Sequence, residues 1–401
     1  MGVFDGLKVI DAAGFIAAPA AATILSDFGA DVIKIEPPGE GDAFRKVYKV
    51  PNLAVSEHNY LWMQVARNRR ALALDLKSAE GQAVLHRLVR AADVLITNYP
   101  LPLRPKLGLA WEQIESLNPR LIYASLTGYG ESGPEAHKPG YDATTYWARS
   151  GLADLVRPDP DGPPANAANG QGDQPSGSML FGAIVTGLYR RERTGRGGWV
   201  GTSLLANGAW ANAMSIQAAL VGGEVIYRPP RTQPRNALQN YYRCADGRWF
   251  LLSLIAEDKL WPGFARLMGL EAALHDPRFA TLPERRRHAA ELAQQLEAAF
   301  AQHDSAEWQR RFDAAGQTVG VIARTADVVN DPQMRHIGAL VPGEGIPGTG
   351  LTVASPLQIG GETPVPARAA PAVGQHSDDV LREAGYSESE IAVLRASGVV
   401  A

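Results

Sequence analysis

Short apolar segments that predict strands alternate with segments that predict helices through the first third of the chain. Five strands are predicted in this way, at Lys8–Asp11, Asp31–Glu36, Ala71–Asp75, Val94–Thr97 and Leu121–Ser125. Helices are predicted between them at Ala17–Phe28 and from the N-cap Ser78 to about Ala91. Strands separated by helices form βαβ units, whose strands run parallel and whose helices cover both faces of the sheet. The pattern therefore predicts an α/β fold with a Rossmann-like parallel sheet.

Polar residues and one short segment lie at the carboxyl ends of the predicted strands. They are Glu36, Asp75, Asn98 and the segment 126–128. Ligands of open parallel sheets bind beyond the carboxyl ends of the strands. We therefore expect a binding crevice at the edge of the sheet where these residues meet.

The middle of the chain continues the α/β pattern after an irregular stretch. Residues 157–175 are rich in Pro, Gly, Asp and Asn and predict a loop. An apolar helix is predicted at Ser176–Arg193 and a buried strand at Trp199–Leu205. Residues 340–375 are rich in Gly and Pro and predict an extended connection, which two short helices follow at the C-terminus.

A second, smaller α+β domain is predicted beyond the middle of the chain. Its first element is a β-hairpin in residues 241–254, centred on Asp246 and Gly247, and helical patterns follow at 261–268 and 284–302. The predicted division is a large domain of residues 1–205 completed by 355–401, a linker at 206–224, the small domain at 225–328 and a linker at 329–354.

Charge and cysteine content limit the kinds of partner and compartment. The formal net charge of −3 over 401 residues leaves no broad basic field, so neither a nucleic-acid nor a membrane partner is expected. The chain has one cysteine, Cys244, which predicts no internal disulfide and a cytoplasmic location. Cys244 has two alternative roles, a catalytic thiol or a small core residue. Its strand-like surroundings favour the core residue. No signal peptide or membrane-spanning segment is expected.

Three common kinds of site are poorly supported by the sequence. A dinucleotide site requires Gly-x-Gly-x-x-Gly after the first strand, and only Gly14 is present there. The eight histidines are scattered without the spacing of metal ligands, so no metal is expected. The triplet Ser176-Gly177-Ser178 does not match the Gly-x-Ser-x-Gly motif of serine hydrolases.

Asp173 has two interpretations. It lies in the sequence Gly172-Asp173-Gln174-Pro175-Ser176-Gly177, ahead of the predicted apolar helix. The first interpretation is a carboxylate that only caps this helix. The second is a nucleophile that the helix dipole keeps ionised, with glycines on both sides that leave room for a thioester. Local spacing does not decide between them.

Six segments carry a more specific resemblance. The residues concerned are 8–42, 68–81, 92–100, 138–151, 172–200 and the C-terminal tail. In content, order and spacing they resemble the class III coenzyme A transferases, a family that includes α-methylacyl-CoA racemase as a relative. The resemblance covers most of the chain and implies an interlocked homodimer.

This resemblance also implies a reaction and its site residues. Asp173 would attack an acyl-CoA, form a mixed anhydride and then an aspartyl-CoA thioester, and pass CoA to a small carboxylic acid. Contacts with the CoA thioester, which is a substrate and not a tightly bound cofactor, are implied for Leu74, Lys77, Asn98, Tyr99, Lys106 and Tyr141.

Position 141 separates the transferases from their racemase relatives. The racemases carry a catalytic His within Gly-His-Asp, where this chain has Gly140-Tyr141-Asp142. A phenol is a poor base at neutral pH, so transfer is favoured, and racemisation or an intramolecular CoA shift remains the alternative. Ala17 and Pro37 replace side chains of formyl-CoA transferase, so a short donor such as succinyl-CoA is expected in preference to formyl-CoA or oxalyl-CoA. Arg231 and Arg235 are candidates to bind a substrate carboxylate or a CoA phosphate.

Overall fold

A parallel sheet of six strands forms the centre of the larger part of the molecule. The computed structural model describes residues 2–157, 161–224, 226–227, 229–317 and 319–401. The strands are Lys8–Ala12 (β1), Asp31–Glu36 (β2), Arg70–Ala73 (β3), Val94–Thr97 (β4), Ile122–Thr127 (β5) and Gly198–Ser203 (β6). Their order is β3-β2-β1-β4-β5-β6, and all pairings are parallel. The predicted α/β class and parallel sheet are confirmed.

The order of the strands reverses between β1 and β4. The chain builds outward from β1 to β3 and then returns to place β4 on the other side of β1, where Ala12 lies beside Thr97. The connections after β1 and β4 therefore leave in opposite directions and open a crevice between them. At the far edge, β6 pairs only with β5 among the described strands and is less buried than predicted, since Trp199 is 42% exposed.

Helices cover both faces of this sheet. The first eight helices within the described residues are Ala17–Asp27 (α1), Tyr60–Ala66 (α2), Ala79–Val89 (α3), Trp111–Ile114 (α4), Leu152–Leu155 (α5), Asp173–Thr194 (α6), Leu204–Ala211 (α7) and Ala213–Leu220 (α8). The side chain of Ser78 caps α3 as predicted, by accepting a hydrogen bond from the N–H of Gly81 at 3.0 Å. Short 3₁₀ turns lie at Ala43–Lys49 and Arg104–Leu107, and a π-helical segment lies at Asp142–Arg149.

The loop predicted at 157–175 is wrong at its end. Helix α6 begins at Asp173, three residues before the predicted start at Ser176. Pro175 misled the prediction, because proline is tolerated in the first turn of a helix, where the N–H groups have no partner in the helix. Residues 158–160 of this loop lie outside the described residues.

A second unit is formed by residues 154–165 and 224–331. Its strands are Tyr241–Arg243 (β7), Trp249–Leu252 (β8) and Val319–Val321 (β9), and its helices are Glu257–Leu267 (α9), Leu282–Arg287 (α10), Ala289–Phe300 (α11), Ser305–Ala314 (α12) and Thr325–Val328 (α13). The hairpin is confirmed, but the helix predicted at 284–302 is interrupted at His288. Cys244 is buried in the core of this unit, and burial raises the pKa of its thiol to about 12.

The C-terminal part belongs to the first unit, together with residues up to 153 and 166–223. Its elements are Pro332–His336 (α14), Leu340–Glu344 (β10), Leu351–Val353 (β11), Ala367–Arg368 (β12), Ser377–Glu383 (α15) and Glu388–Ala396 (α16). The extended connection predicted at 340–375 therefore contains a small three-stranded sheet. Helices α15 and α16 pack into the core beside the main sheet. The predicted domain division stays a prediction, which limited proteolysis tests.

No helix within the described ranges has the length and apolar character needed to cross a membrane.

Candidate functional site

A cavity of about 480 Å³ lies where the strand order reverses. Its wall is formed by the residues that follow β1, β4 and β5, by the segment 136–142 and by the first residue of α6. Volumes of this size are typical of small-molecule sites. Polar and charged groups in the wall are contributed by Asp42, Asn98, Tyr99, Thr127, Lys138, Tyr141, Asp142 and Asp173.

The turn after β1 is held by side chains from three other segments. Asn98 donates from Nδ2 to the carbonyl of Gly14 at 2.7 Å and accepts the N–H of Gly14 on Oδ1 at 2.8 Å. Asp42 accepts the N–H of Phe15 at 3.5 Å, and Lys34 donates to the carbonyl of Ala13. Phe15 has a φ of 62°, which a bulky residue adopts only when its surroundings enforce it. These contacts fix the backbone that faces the cavity.

Buried charges lie directly beneath this turn. Lys34 is 1% exposed, and its Nζ lies 3.1 Å from Asp42 and 3.9 Å from Asp11, which also binds Arg69. Burial alone lowers the pKa of Lys34, but the carboxylates of Asp11, Asp42 and Glu36 raise it, and the pKa ends above its ordinary value. Lys34 is therefore charged and neutralises Asp42. The cluster supports the turn and presents no spare charge to a ligand.

Glu36 does not line the cavity as predicted. It is buried and accepts two hydrogen bonds from Arg45, each at 2.7 Å, and a third from the N–H of Asp42 at 2.9 Å. Because these contacts use the carboxylate, Glu36 is not available to bind a ribose as the acidic residue of a dinucleotide site does. Asp75 also lies outside the wall, whereas Asn98 and residues 126–128 line it as expected.

Asp173 is the first helical residue of α6, and its side chain lines the cavity. Within the described part of the chain its carboxylate accepts no hydrogen bond. Burial and, second, the charge of Asp142 raise the pKa of Asp173 to about 7. Desolvation therefore opposes the helix dipole, which the sequence argument expected to favour the ionised form. The Asp173 carboxylate is therefore a stronger base than that of an exposed aspartate.

Two glycines set the position of Asp173. A Cβ on Gly172 would lie 2.5 Å from Cγ of Tyr146, so only glycine fits before the helix. One turn further, a Cβ on Gly177 would lie 2.5 Å from the Cβ of Ala20 and 2.7 Å from the carbonyl of Ala17. Helices α1 and α6 therefore pack closely, which brings Asp173 beside the turn after β1.

Asp142 is a second carboxylate in the wall that sequence reasoning missed. It begins the π-helical segment, and its Oδ1 accepts the N–H of Ala143 at 2.7 Å. Its effect on the pKa of Asp173 indicates that the two carboxylates are near one another. The only signal in the sequence was its place beside Tyr141, which lines the cavity and is 62% exposed. Among the described residues, no histidine lines this cavity.

The other residues implied in CoA contacts fall into two groups. Tyr99 lines the cavity beside Asn98, and burial raises the pKa of its phenol. Leu74, Lys77 and Lys106 are not part of the wall. Leu74 is buried and pairs with Val400, whereas both lysines are exposed.

The two lysines lie on one part of the surface because of Gln82. Its Nε2 donates to the carbonyl of Leu76 at 3.0 Å and to that of Lys106 at 2.9 Å, which ties the backbone next to Lys77 to Lys106. Neither lysine forms an ion pair with another described residue. Two exposed lysines on neighbouring backbone segments favour an anionic ligand.

A larger cavity, of about 750 Å³, lies beside Ile16 and Gln174. Arg67 in its wall is already bound to Asp27, at 3.0 and 2.6 Å. None of the described residues in this wall is an Asp, Glu or His. Its described wall therefore offers hydroxyl groups but neither a carboxylate nor an imidazole, and the smaller cavity, which contains carboxylates, is the candidate site.

Neither arginine proposed as a carboxylate ligand is part of either wall. Arg231 binds Glu297 at 2.7 Å and lies over the ring of Trp249, so its charge is engaged within the second unit. Arg235 is exposed. Within the described ranges, no group of three or more His, Cys, Asp or Glu side chains is arranged to hold a metal ion.

Comparisons with known proteins identify the family of this chain. The chain is 33% identical to (R)-2-hydroxy-4-methylpentanoate CoA-transferase of Clostridioides difficile, over 99% of both chains. It is 30% identical to succinyl-CoA–D-citramalate CoA-transferase of Chloroflexus aurantiacus, over 99% of this chain and 98% of the relative. The structure of a CAIB/BAIF family protein from Brucella suis matches with a TM-score of 0.85 and 29% identity, over 96% of this chain and 99% of that one. Because the model of CoA-transferase family III also matches residues 4–377, which confirms the resemblance seen in the sequence, the chain belongs to that family of enzymes.

Proposed function

We propose that this protein transfers coenzyme A from an acyl-CoA to a carboxylic acid, with Asp173 as the nucleophile. The observation that carries the proposal is a carboxylate at the wall of the cavity where the strand order reverses, which no described residue binds. Membership of CoA-transferase family III supports it. A carboxylate that only capped α6 would have no reason to face a cavity.

Four steps complete the reaction without an added energy source. Asp173 attacks the donor thioester carbonyl, so an anhydride forms and the CoA thiolate leaves. The thiolate then attacks the aspartyl carbonyl, which gives an aspartyl-CoA thioester and releases the donor acid. The acceptor carboxylate attacks this thioester, forms a second anhydride and expels the thiolate again. Attack of the thiolate on the acceptor acyl carbon gives the new acyl-CoA and restores the carboxylate of Asp173.

Each part of the site has a task in this scheme. The ionised fraction of Asp173 is the nucleophile, and its raised pKa makes the carboxylate more basic than an exposed one. Lys77 and Lys106, brought together by Gln82, are suited to the phosphates of CoA. Leu74 is proposed with Lys77 at the adenine end of CoA, and Asn98, Tyr99 and Tyr141 are proposed as contacts or supports of the thioester arm. Asn98 acts by holding Gly14, because its Nδ2 and its Oδ1 both form hydrogen bonds with the backbone of Gly14.

We also propose that the active protein is a homodimer, of the interlocked kind that the family resemblance implies. Helix α8 supports an interface, because it contains no buried residue. Residues 204–223 include no charged side chain, and Trp210 and Met214 are 76% and 90% exposed. Exposed apolar surface of this kind marks contact with another protein.

Trapping the covalent intermediate tests the nucleophile. The protein is incubated with an acyl-CoA and treated with hydroxylamine or borohydride, and peptides are then mapped by mass spectrometry. We expect a hydroxamate or an alcohol at Asp173. Asp173→Asn should lose both the adduct and transfer, whereas Asp313→Asn, on an exposed helix of the second unit, should keep both.

Racemisation by the same fold is tested in parallel. The absence of histidine from the described wall removes the usual base for proton abstraction at the α-carbon. We therefore expect deuterium exchange at the acyl α-carbon to be much slower than CoA transfer. Fast exchange with no adduct on Asp173 would refute the transferase proposal.

A further inference from the structure

The charges in the cavity wall are unbalanced. Asp42 is neutralised by Lys34, at 3.1 Å. Lys138 is the one cation among the described residues of the wall, and its Nζ binds Glu135 at 2.6 Å. Asp142 and Asp173 therefore face the cavity with no cationic partner among the described residues.

This imbalance bears on which acyl groups fit. A second carboxylate on a substrate would lose water on entering and would find no free cation to replace it. The carboxylate of Asp142 in the wall would also repel it. A neutral acyl group meets neither cost.

Asp142 offers a positive interaction as well. An ionised carboxylate is only an acceptor, and Oδ1 of Asp142 is engaged by the N–H of Ala143 whereas Oδ2 has no partner among the described residues. A hydroxyl group on the substrate would supply the missing donor. The rest of the wall suits a hydrocarbon chain, since it includes Phe15, Ile35, Leu101, Leu103, Leu126 and Leu204.

We propose that Asp142 determines acyl specificity, by favouring monocarboxylic acids that carry a hydroxyl group and by disfavouring dicarboxylic acids. The inference rests on the proposed function, because it assumes that the acyl group occupies the cavity beside Asp173. It opposes the expectation of a succinyl donor drawn from the sequence.

Isotope exchange with acids of equal length tests this specificity. Each acyl-CoA is incubated with its own ¹³C-labelled acid, so that donor and acceptor are the same, for 2-hydroxybutanoate, butanoate and succinate. We expect kcat/KM to fall in that order, with at least a tenfold difference between the first and the last. Succinate exchange as fast as that of 2-hydroxybutanoate would overturn the inference.

Variants at position 142 separate charge from structure. Asp142→Asn should reduce the preference for 2-hydroxybutanoate over butanoate. It should also raise kcat/KM for succinate exchange, relative to that for butanoate exchange, by at least fivefold. Asp142→Glu, which keeps the charge, should retain the wild-type order, and unchanged ratios in Asp142→Asn would overturn the inference.

The adduct on Asp173 keeps the two proposals distinguishable. If the adduct forms but the order of acids differs, or none of the three exchanges, the substrate class is wrong and the nucleophile stands. If neither adduct nor exchange occurs, both proposals fail.

Discussion

Asn98 binds both backbone polar groups of Gly14, its carbonyl and its N–H, with hydrogen bonds of 2.7 and 2.8 Å. The contact joins the end of β4 to the end of β1, the two strands between which the order of the sheet reverses. Because a side-chain amide offers a donor and an acceptor a short distance apart, one residue can satisfy both groups of Gly14. The turn that faces the cavity is thereby fixed before a substrate arrives.

Asn98→Ala should weaken substrate binding more than it weakens the fold. Two hydrogen bonds are lost, which costs about 1–3 kcal/mol, and the backbone of Gly14 and Phe15 loses its fixed position. We expect KM for the acyl-CoA to rise about tenfold and the melting temperature to fall by a few degrees. Steady-state kinetics and calorimetry measure the two effects.

Asn118→Ala is the matched control. The Asn118 side chain also binds backbone carbonyls, those of Val89 and Ala92, at 3.1 and 2.8 Å, but away from the cavity. It should lower the melting temperature without raising KM. An equal rise of KM in both variants would contradict a specific role for Asn98.

The pH dependence of kcat/KM should report the ionisation of Asp173. Only the carboxylate form is nucleophilic, and its pKa is raised to about 7 by burial and by Asp142. Activity should therefore rise with pH up to about 7 and then level off, since kcat/KM follows the free enzyme.

Asp142→Asn removes one of the two causes of this shift. The midpoint should move to lower pH but stay above the ordinary value for Asp, because burial remains. A midpoint that does not respond to Asp142→Asn, or an activity that falls as pH rises through 7, would contradict this assignment. Asp313→Asn should leave the profile unchanged.

Lys77 and Lys106 should contribute to binding through the phosphates of CoA. The double variant Lys77→Ala/Lys106→Ala should raise KM for an acyl-CoA by about tenfold, since each lost contact with a phosphate is worth on the order of 1 kcal/mol. The same variant should have the wild-type KM for the matching acyl-pantetheine, which lacks the phosphates of the nucleotide. Lys259→Ala, an exposed lysine of the second unit, is the control. An equal rise of KM for the acyl-CoA and for the acyl-pantetheine would show that these lysines do not act through the phosphates.

The sequence predicted the sheet well because each strand is specified locally. Asp31–Glu36 and Val94–Thr97 were predicted with the bounds they have, since runs of apolar and β-branched residues between helices leave few alternatives. The start of α6 was misplaced because Pro175 resembles a loop residue, although proline also fits the first turn of a helix. The small sheet at 340–375 was missed because its strands are only two to five residues long.

The chemistry of the site was less predictable, because it depends on contacts between distant segments. Family resemblance singled out Asp173, but its raised pKa comes from burial and from Asp142, neither of which local sequence reveals. Glu36 lies at the carboxyl end of a predicted strand, where residues that bind ligands are often found. Its carboxylate is nevertheless bound by Arg45. Which carboxylate is free and which is paired is decided by tertiary packing.

Charge placed on α8 should disrupt the proposed dimer. Met214→Glu puts an ionised group on an exposed apolar helix, and burying it in an interface costs several kcal/mol. Light scattering should show a shift from dimer to monomer. Val55→Glu, at a fully exposed valine, should not change the mass. A dimer that persists in Met214→Glu, or a wild-type monomer, would contradict the proposal.

Two glycines of α6 should respond in opposite ways to substitution by alanine. Gly177 faces α1, where an added Cβ would lie 2.5 Å from the Cβ of Ala20, so Gly177→Ala must push the helices apart and should cost about 1–3 kcal/mol. Gly182, on the same helix, has nothing within 4 Å of an added Cβ, so Gly182→Ala should stabilise the protein by about 0.5–1 kcal/mol. Unfolding in denaturant measures both free energies.

The same pair tests whether the contact between α1 and α6 positions the nucleophile. Separating the helices moves Asp173 away from the turn at Gly14, so Gly177→Ala should lower kcat by more than its loss of stability explains at a temperature where it is fully folded. Gly182→Ala should keep the wild-type kcat. If Gly177→Ala is destabilised but retains kcat, the close packing serves stability alone, and the position of Asp173 is set by Gly172 and the residues before it.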